Sequence, residues 1–161
     1  MYYICSDYLS TLPVGSTYRA IDRDGNLVDT MLSEKRELPS AKAFFKQAIA
    51  TVGHKPDRVT TDKHASYRRA IRQVLGRKVR HRTSQYLNNR IEQDHRGVKQ
   101  RFYPMRGFGS LASAARFCTA FSELRQYFRS QSTLSKPPSL SEKRQTFHRQ
   151  WQELLSAQAI S

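Results

Sequence analysis

The chain has 161 residues, enough for one domain with its own apolar core. No apolar run approaches the ~18 residues of a membrane span, no basic-then-apolar signal peptide opens it, and Cys5 and Cys118 are too far apart for a disulfide framework or a zinc site. They read as reduced thiols of a cytoplasmic protein, and the 28 Lys and Arg against 13 Asp and Glu give a net charge of +15.

Residues 17–32 predict a hairpin. Tyr18, Ala20 and Asp22 alternate with Arg19 and Ile21, Asp24-Gly25-Asn26 supplies turn chemistry, and Leu27, Val28, Met31 and Leu32 make the return strand. A helix follows over 40–52, capped by Ser40 and ended by Gly53, with Ala41, Phe44, Phe45, Ala48, Ile49 and Val52 at helical spacing. Arg58-Val59-Thr60-Thr61 is short and β-branched, a strand with Asp62 at its carboxyl end. A helix over about 64–75 carries Tyr67, Ala70, Ile71, Val74 and Leu75 on one face, and Gly76 stops it. Residues 78–81 read as a short strand or a loop.

Here the charge concentrates. Residues 68–106 hold 12 basic and 2 acidic groups, net +10, whereas 1–67 are net +1 and 107–161 net +4. A block of that kind attracts a polyanion, because each neutralised phosphate releases condensed counterions. A solvated basic face is the plainer alternative for a scattered excess; this excess is not scattered.

Residues 88–101 predict a helix capped by Asn88 or Asn89 and weakened by Gly97, and 110–129 another with Leu111, Ala114, Ala115, Cys118, Phe121, Leu124 and Phe128 inside. Residues 130–141 have linker composition. A last helix, about 140–158, opens with Ser139 and Glu142 in capping-box register. Its stripe of Phe147, Trp151, Leu154 and Leu155 is expected to pack on the domain or on a second subunit. The order of elements is that of a mixed α/β domain.

Two acids stand out. Asp62 ends a strand, where open α/β sheets place their ligands, although capping the next helix is an equally open reading. Glu92 lies in the basic block, with His95, Arg96 and Lys99 at i+3, i+4 and i+7, a carboxylate beside groups suited to phosphate. A Glu92–Arg96 salt bridge within the helix is the alternative. Paired acids suit phosphoryl transfer on DNA, in which divalent cations held by carboxylates activate one oxygen and stabilise another.

The strings YRAIDRDGNLVDTMLSEKRE, AKAFFKQAI, PDRVTTDKHASYRRAI, VRHRTSQYLNNRIEQDHRGVKQR and PMRGFGSLASAARFCTAF resemble, in order, the catalytic domain of the insertion sequence six (insertion sequence 26-like) DDE transposases. The resemblance runs from about Thr17 to Arg129. It implies a ribonuclease H-like mixed sheet flanked by helices, followed here by C-terminal helices. It also implies an Asp-Asp-Glu triad, Mg²⁺ (with Mn²⁺ able to substitute), and strand cleavage and transfer at terminal inverted repeats. Asp62 matches the second acid and Glu92 the third; both are thereby implied as metal ligands, with Arg90, His95, Arg96, Lys99 and Arg101 facing the DNA.

The first acid has no counterpart. Its register points at Ile4, no Asp-Glu-Thr-Tyr occurs, and Asp7 is the nearby acid that could substitute. Residues 1–16 are an atypical segment, and the first strand of the sheet is expected to be altered or missing unless Tyr2, Tyr3, Ile4, Tyr8 and Leu9 rebuild it. The 29 residues between Asp62 and Glu92 are fewer than in the family pattern, a loop deletion around 76–82. The organisation read from the sequence is therefore an N-terminally truncated form: segment 1–16, catalytic domain 17–129, linker 130–141 and helix 142–161. The implied partners are double-stranded DNA, at inverted repeats and target, and a homodimer or mixed oligomer with full-length transposase. The implied setting is a bacterial cytoplasm, at the nucleoid. A non-catalytic DNA-binding remnant, or an inhibitor of full-length transposase, is the alternative.

Overall fold

The computed structural model describes residues 1–9, 15–84, 96–101, 103–129 and 138–158, the side chains of 7–9 excepted. Five strands form one sheet in the order β3-β2-β1-β4-β5. They are β1 (Tyr2–Leu9), β2 (Gly15–Ile21), β3 (Leu27–Ser33), β4 (Arg58–Thr61) and β5 (Arg80–Thr83). Strands β1, β2 and β3 run antiparallel, whereas β4 lies parallel to β1 and β5 parallel to β4. The first residues, atypical in sequence, thus supply the central strand. Ile4 pairs with Ala20 on one side and with Thr61 on the other. The hairpin turn is closed by Asp22, whose carboxylate accepts from the Asn26 amide N–H (2.8 Å) and side chain (3.0 Å). The stretch expected as strand or loop is a strand, β5, at the sheet's edge.

Helix α1 (Leu38–Val52) starts earlier than expected. Glu37 takes the extended cap position with no side-chain cap bond, and Pro39 sits in the first turn, where its missing N–H costs nothing. Ser40, expected as the cap, instead bonds Ser33 through its hydroxyl (2.8 Å). Gly53 ends the helix at φ 73°, a conformation that disfavours a side chain. Helix α2 (Ala65–Val74) follows β4. Residues 96–101 are helical (α3), α4 is Leu111–Tyr127 with Ser110 as its N-cap, and α5 is Leu140–Gln158.

Strand alternation sorts the faces. Tyr18, Ala20, Ile4, Val28 and Val59 point to one side, where α1 and α2 bury Ala41, Phe44, Phe45, Tyr67, Ala70 and Ile71 against them. Arg19, between Tyr18 and Ala20, points to the other side and donates to Ser122 on α4 at 2.6 Å. Both groups are buried, at 2% exposure each. Ser122→Ala is expected to destabilise the fold by about 1.5 kcal/mol in urea unfolding, the low end for a bond to a buried cation, because Arg19 keeps other partners.

On that second face Val98 of α3 and Cys118 of α4 pack with Leu32, Phe108, Phe117 and Phe121. At Gly97 a Cβ would come within 2.6 Å of the Arg125 guanidinium, the mobile end of a long side chain that could swing aside. The capping box of α5 forms as expected, Ser139 N–H to Glu142 at 2.6 Å and Glu142 N–H to Ser139 at 3.2 Å. Phe147 and Trp151 stack on each other and lie against Phe128, yet both stay about half exposed. Among the described residues no helix is long and apolar enough to cross a membrane.

Candidate active site at the β1–β4 junction

Asp62 follows directly on β4, whose Val59, Thr60 and Thr61 are fully buried and fix the strand beside β1. Because Ile4 pairs with Thr61, the residues of β1 that lie alongside Asp62 come one and two positions later. Cys5 Sγ is 3.6 Å, and the Ser6 amide nitrogen 3.3 Å, from Asp62 Oδ2. Ile4, at which the register inferred for the first acid points, is core and 1% exposed, and Cys5 and Ser6 are the residues of β1 in contact with Asp62.

Arg36, from the turn between β3 and α1, closes the cluster. Its Nη2 donates to Asp62 Oδ2 at 2.7 Å and its Nε to Ser6 Oγ at 2.6 Å. The other carboxylate oxygen, Oδ1, accepts from the His64 amide N–H at 2.9 Å, so Asp62 also holds the entry to α2. Asp62 thus stands at the carboxyl end of a strand and ties down the turn before α2, whose N-cap position is taken by His64 without a side-chain cap bond. The ion pair is only partly solvated, with side chains 30% and 22% exposed.

The neighbours are held neutral. Burial pulls the His64 imidazole below its usual value and Arg36 adds to that, with Asp62 opposing. Burial, with Asp62 behind it, pushes the Tyr67 phenol well above its usual range. Arg36 and Asp62 form the ion pair of the cluster, and Ser6 and the His64 backbone contribute hydrogen bonds to it.

The sequence-predicted residues divide in three. Asp62 stands as described. Arg96, Lys99 and Arg101 lie on α3, which docks through Val98, with Arg96 and Arg101 exposed. Glu92, Arg90 and His95 lie outside the described residues, as does the side chain of Asp7, whose backbone pairs with Thr17 on β2. Cys5, Ser6, Arg36 and His64 were not singled out from sequence. No local signal marks them, since Ser6 and Arg36 reach Asp62 across 56 and 26 positions of the chain.

Residues 16–131 match a family model described as a DDE domain. The chain is 46% identical over 88 residues to the transposase for insertion sequence-like element IS431mec of Staphylococcus aureus, an overlap of 52% of this chain and 39% of that protein. The same figures hold for the transposase of IS257 in transposon Tn4003 of Staphylococcus aureus. The match thus spans about two-fifths of the length of these relatives. In three dimensions the chain is similar to a simian T-cell lymphotropic virus intasome chain (TM-score 0.60, 12% identity, covering 91% of this chain and 53% of that one). It is also similar to the catalytic core domain of BIV integrase (TM-score 0.53, 12% identity, covering 92% and 97%). The fold is the ribonuclease H-like one that the sequence resemblance implied.

Proposed function

From the premise that the chain belongs to the DDE transposase family, we propose that it serves DNA transposition as a DNA-binding domain whose acid site is incomplete. The reading rests on one observation: at the junction that faces Asp62, β1 offers Cys5 and Ser6, and the carboxylate is paired with Arg36. A basic block of net +10 supplies the affinity for duplex DNA, at inverted repeats and target, with Arg90, His95, Arg96, Lys99 and Arg101 as contacts. In this reading the chain works at the bacterial nucleoid, as a homodimer or mixed with full-length transposase.

The family brings Mg²⁺ with it, and when bound such ions supply Lewis-acid activation of the attacking and leaving oxygens. Asp62 is a hard oxygen donor of the right kind. Among the described residues, however, no group of three or more His, Cys, Asp or Glu comes together. Both Asp62 oxygens already accept hydrogen bonds. These residues do not complete a cation site. Glu92 is proposed as the ligand beside Asp62, and among the described residues no acid of β1 stands where the first acid of the triad is expected.

A second reading, an active strand transferase in which Asp7 or another acid substitutes, is favoured by the retention of Asp62 at the end of β4. A nicking and strand-transfer assay on inverted-repeat DNA with Mg²⁺ or Mn²⁺ decides. The proposal expects salt-sensitive binding and no turnover above background. Metal-dependent turnover that disappears with Asp62→Asn would overturn it in favour of the enzyme.

A further inference from the structure

Beside the acid site, α2 and β5 enclose a cleft of about 370 Å³. Three arginines line it: Arg68 and Arg72, one helical turn apart on α2, and Arg77 in the turn that follows. His81 and Thr83 of β5 complete the polar wall, and Ile71 and Val79 lie between them. All three arginines are exposed, and among the described residues none of them pairs with a carboxylate or donates a hydrogen bond. Among the described residues no acid lines the cleft. A solvated surface normally intersperses both signs of charge; here three cations converge on one concavity unopposed. The imidazole of His81 registers it: burial first, then Arg68, holds it below its usual value. Its Nε2 is already engaged with Thr61 Oγ1 at 2.9 Å.

We infer that this cleft is a second nucleic-acid site, one that holds the phosphodiester backbone of the duplex away from Asp62. The inference rests on the DNA-binding reading above and adds a surface outside the α3 region. The lining selects the ligand. Arginine forks match phosphate oxygens in pairs. Among the described residues no aromatic side chain lines the cleft to stack a base and no carboxylate accepts from a base edge, so the described lining holds backbone and does not read bases. The position is continuous with the acid site. Thr83 pairs with Thr61, the residue before Asp62, and Arg68 is the fourth residue of α2, whose preceding turn Asp62 holds through the His64 N–H. A strand passing Asp62 therefore continues along the β5 edge into the arginines.

The test is the salt dependence of duplex affinity for the full chain, by fluorescence anisotropy, in wild type and in the triple variant Arg68→Gln, Arg72→Gln, Arg77→Gln. Each lost phosphate contact lowers the slope of log K against log salt by about 0.9, so a decrease of two to three is expected. An unchanged slope in the triple variant, with Arg96→Gln, Lys99→Gln, Arg101→Gln lowering it, overturns the cleft and leaves the DNA reading standing. A wild type that binds no duplex overturns both. Arginine modification of the wild-type chain by a dicarbonyl reagent, read by mass spectrometry, is independent of variant folding. Duplex DNA should protect Arg68, Arg72 and Arg77, and equal modification with and without DNA overturns the inference.

Discussion

The affinity of the chain for duplex DNA is expected to fall about 10³-fold between 50 and 200 mM salt. The figure follows from counterion release. Residues 68–106 carry 12 basic groups. If half of them neutralise phosphates, the slope of log K against log salt is about −5, which over a fourfold change in salt is about three decades. Arg68 and Arg72 on α2, Arg77, Arg80 and Arg82 around β5, and Arg96 and Arg101 on α3 are all exposed, so engagement of six is within reach. The charge is also placed where it can act together: β5 is an edge strand, and its outer arginines discourage pairing with another chain while presenting charge to a polyanion. Anisotropy titrations at four salt concentrations give the slope. A slope shallower than about −2 would mean that the basic block is largely a solvated face, and the DNA-binding proposal would lose its footing.

How much of this was written in local sequence differs from element to element. Strand β4 was legible to the residue, because Val59, Thr60 and Thr61 are β-branched or apolar and are bounded by a proline turn and an acid. Helices α1, α2, α4 and α5 were legible from apolar spacing, the first eight residues of the expected helix 88–101 lie outside the described residues, and the boundary missed at α1 turned on Pro39, which starts a helix as effectively as Ser40 caps one. Strand β1 was not legible from its neighbours. Its assignment depends on pairing with residues 15–21 and 59–61, contacts that no short window contains. The same holds for the acid site. Asp62 could be named from its place at the end of a strand, but Arg36 sits in a polar turn that reads as an ordinary charged loop, and its role exists only because the sheet brings β1 and β4 under that turn. The basic block was visible as composition; that three of its arginines share one cleft needed the packing of α2 against β5.

The double variant Ser6→Asp, Arg36→Gln is expected to bind Mn²⁺ at least about a hundredfold more tightly than the wild-type chain. In the wild type any cation that approaches Asp62 Oδ2 must displace a guanidinium at 2.7 Å, and the next side chain on β1, Ser6, offers a neutral hydroxyl. The variant changes both terms. It removes a unit positive charge and adds a carboxylate whose backbone nitrogen is already 3.3 Å from Asp62 Oδ2. Unit charges about 4 Å apart interact by about 4 kcal/mol at the effective dielectric of a partly solvated site, and about 2.7 kcal/mol is enough for two decades. Each single variant should give part of the gain. Adding Asp62→Asn to the double variant should return the affinity to the wild-type level, because the side-chain amide keeps an acceptor for the His64 N–H but no charge for the ion. Mn²⁺ titration followed by electron paramagnetic resonance reads binding directly, without requiring turnover. If the wild type already binds Mn²⁺ as tightly as the double variant, then Arg36 is no obstacle to a cation, and the description of the acid site as incomplete is wrong.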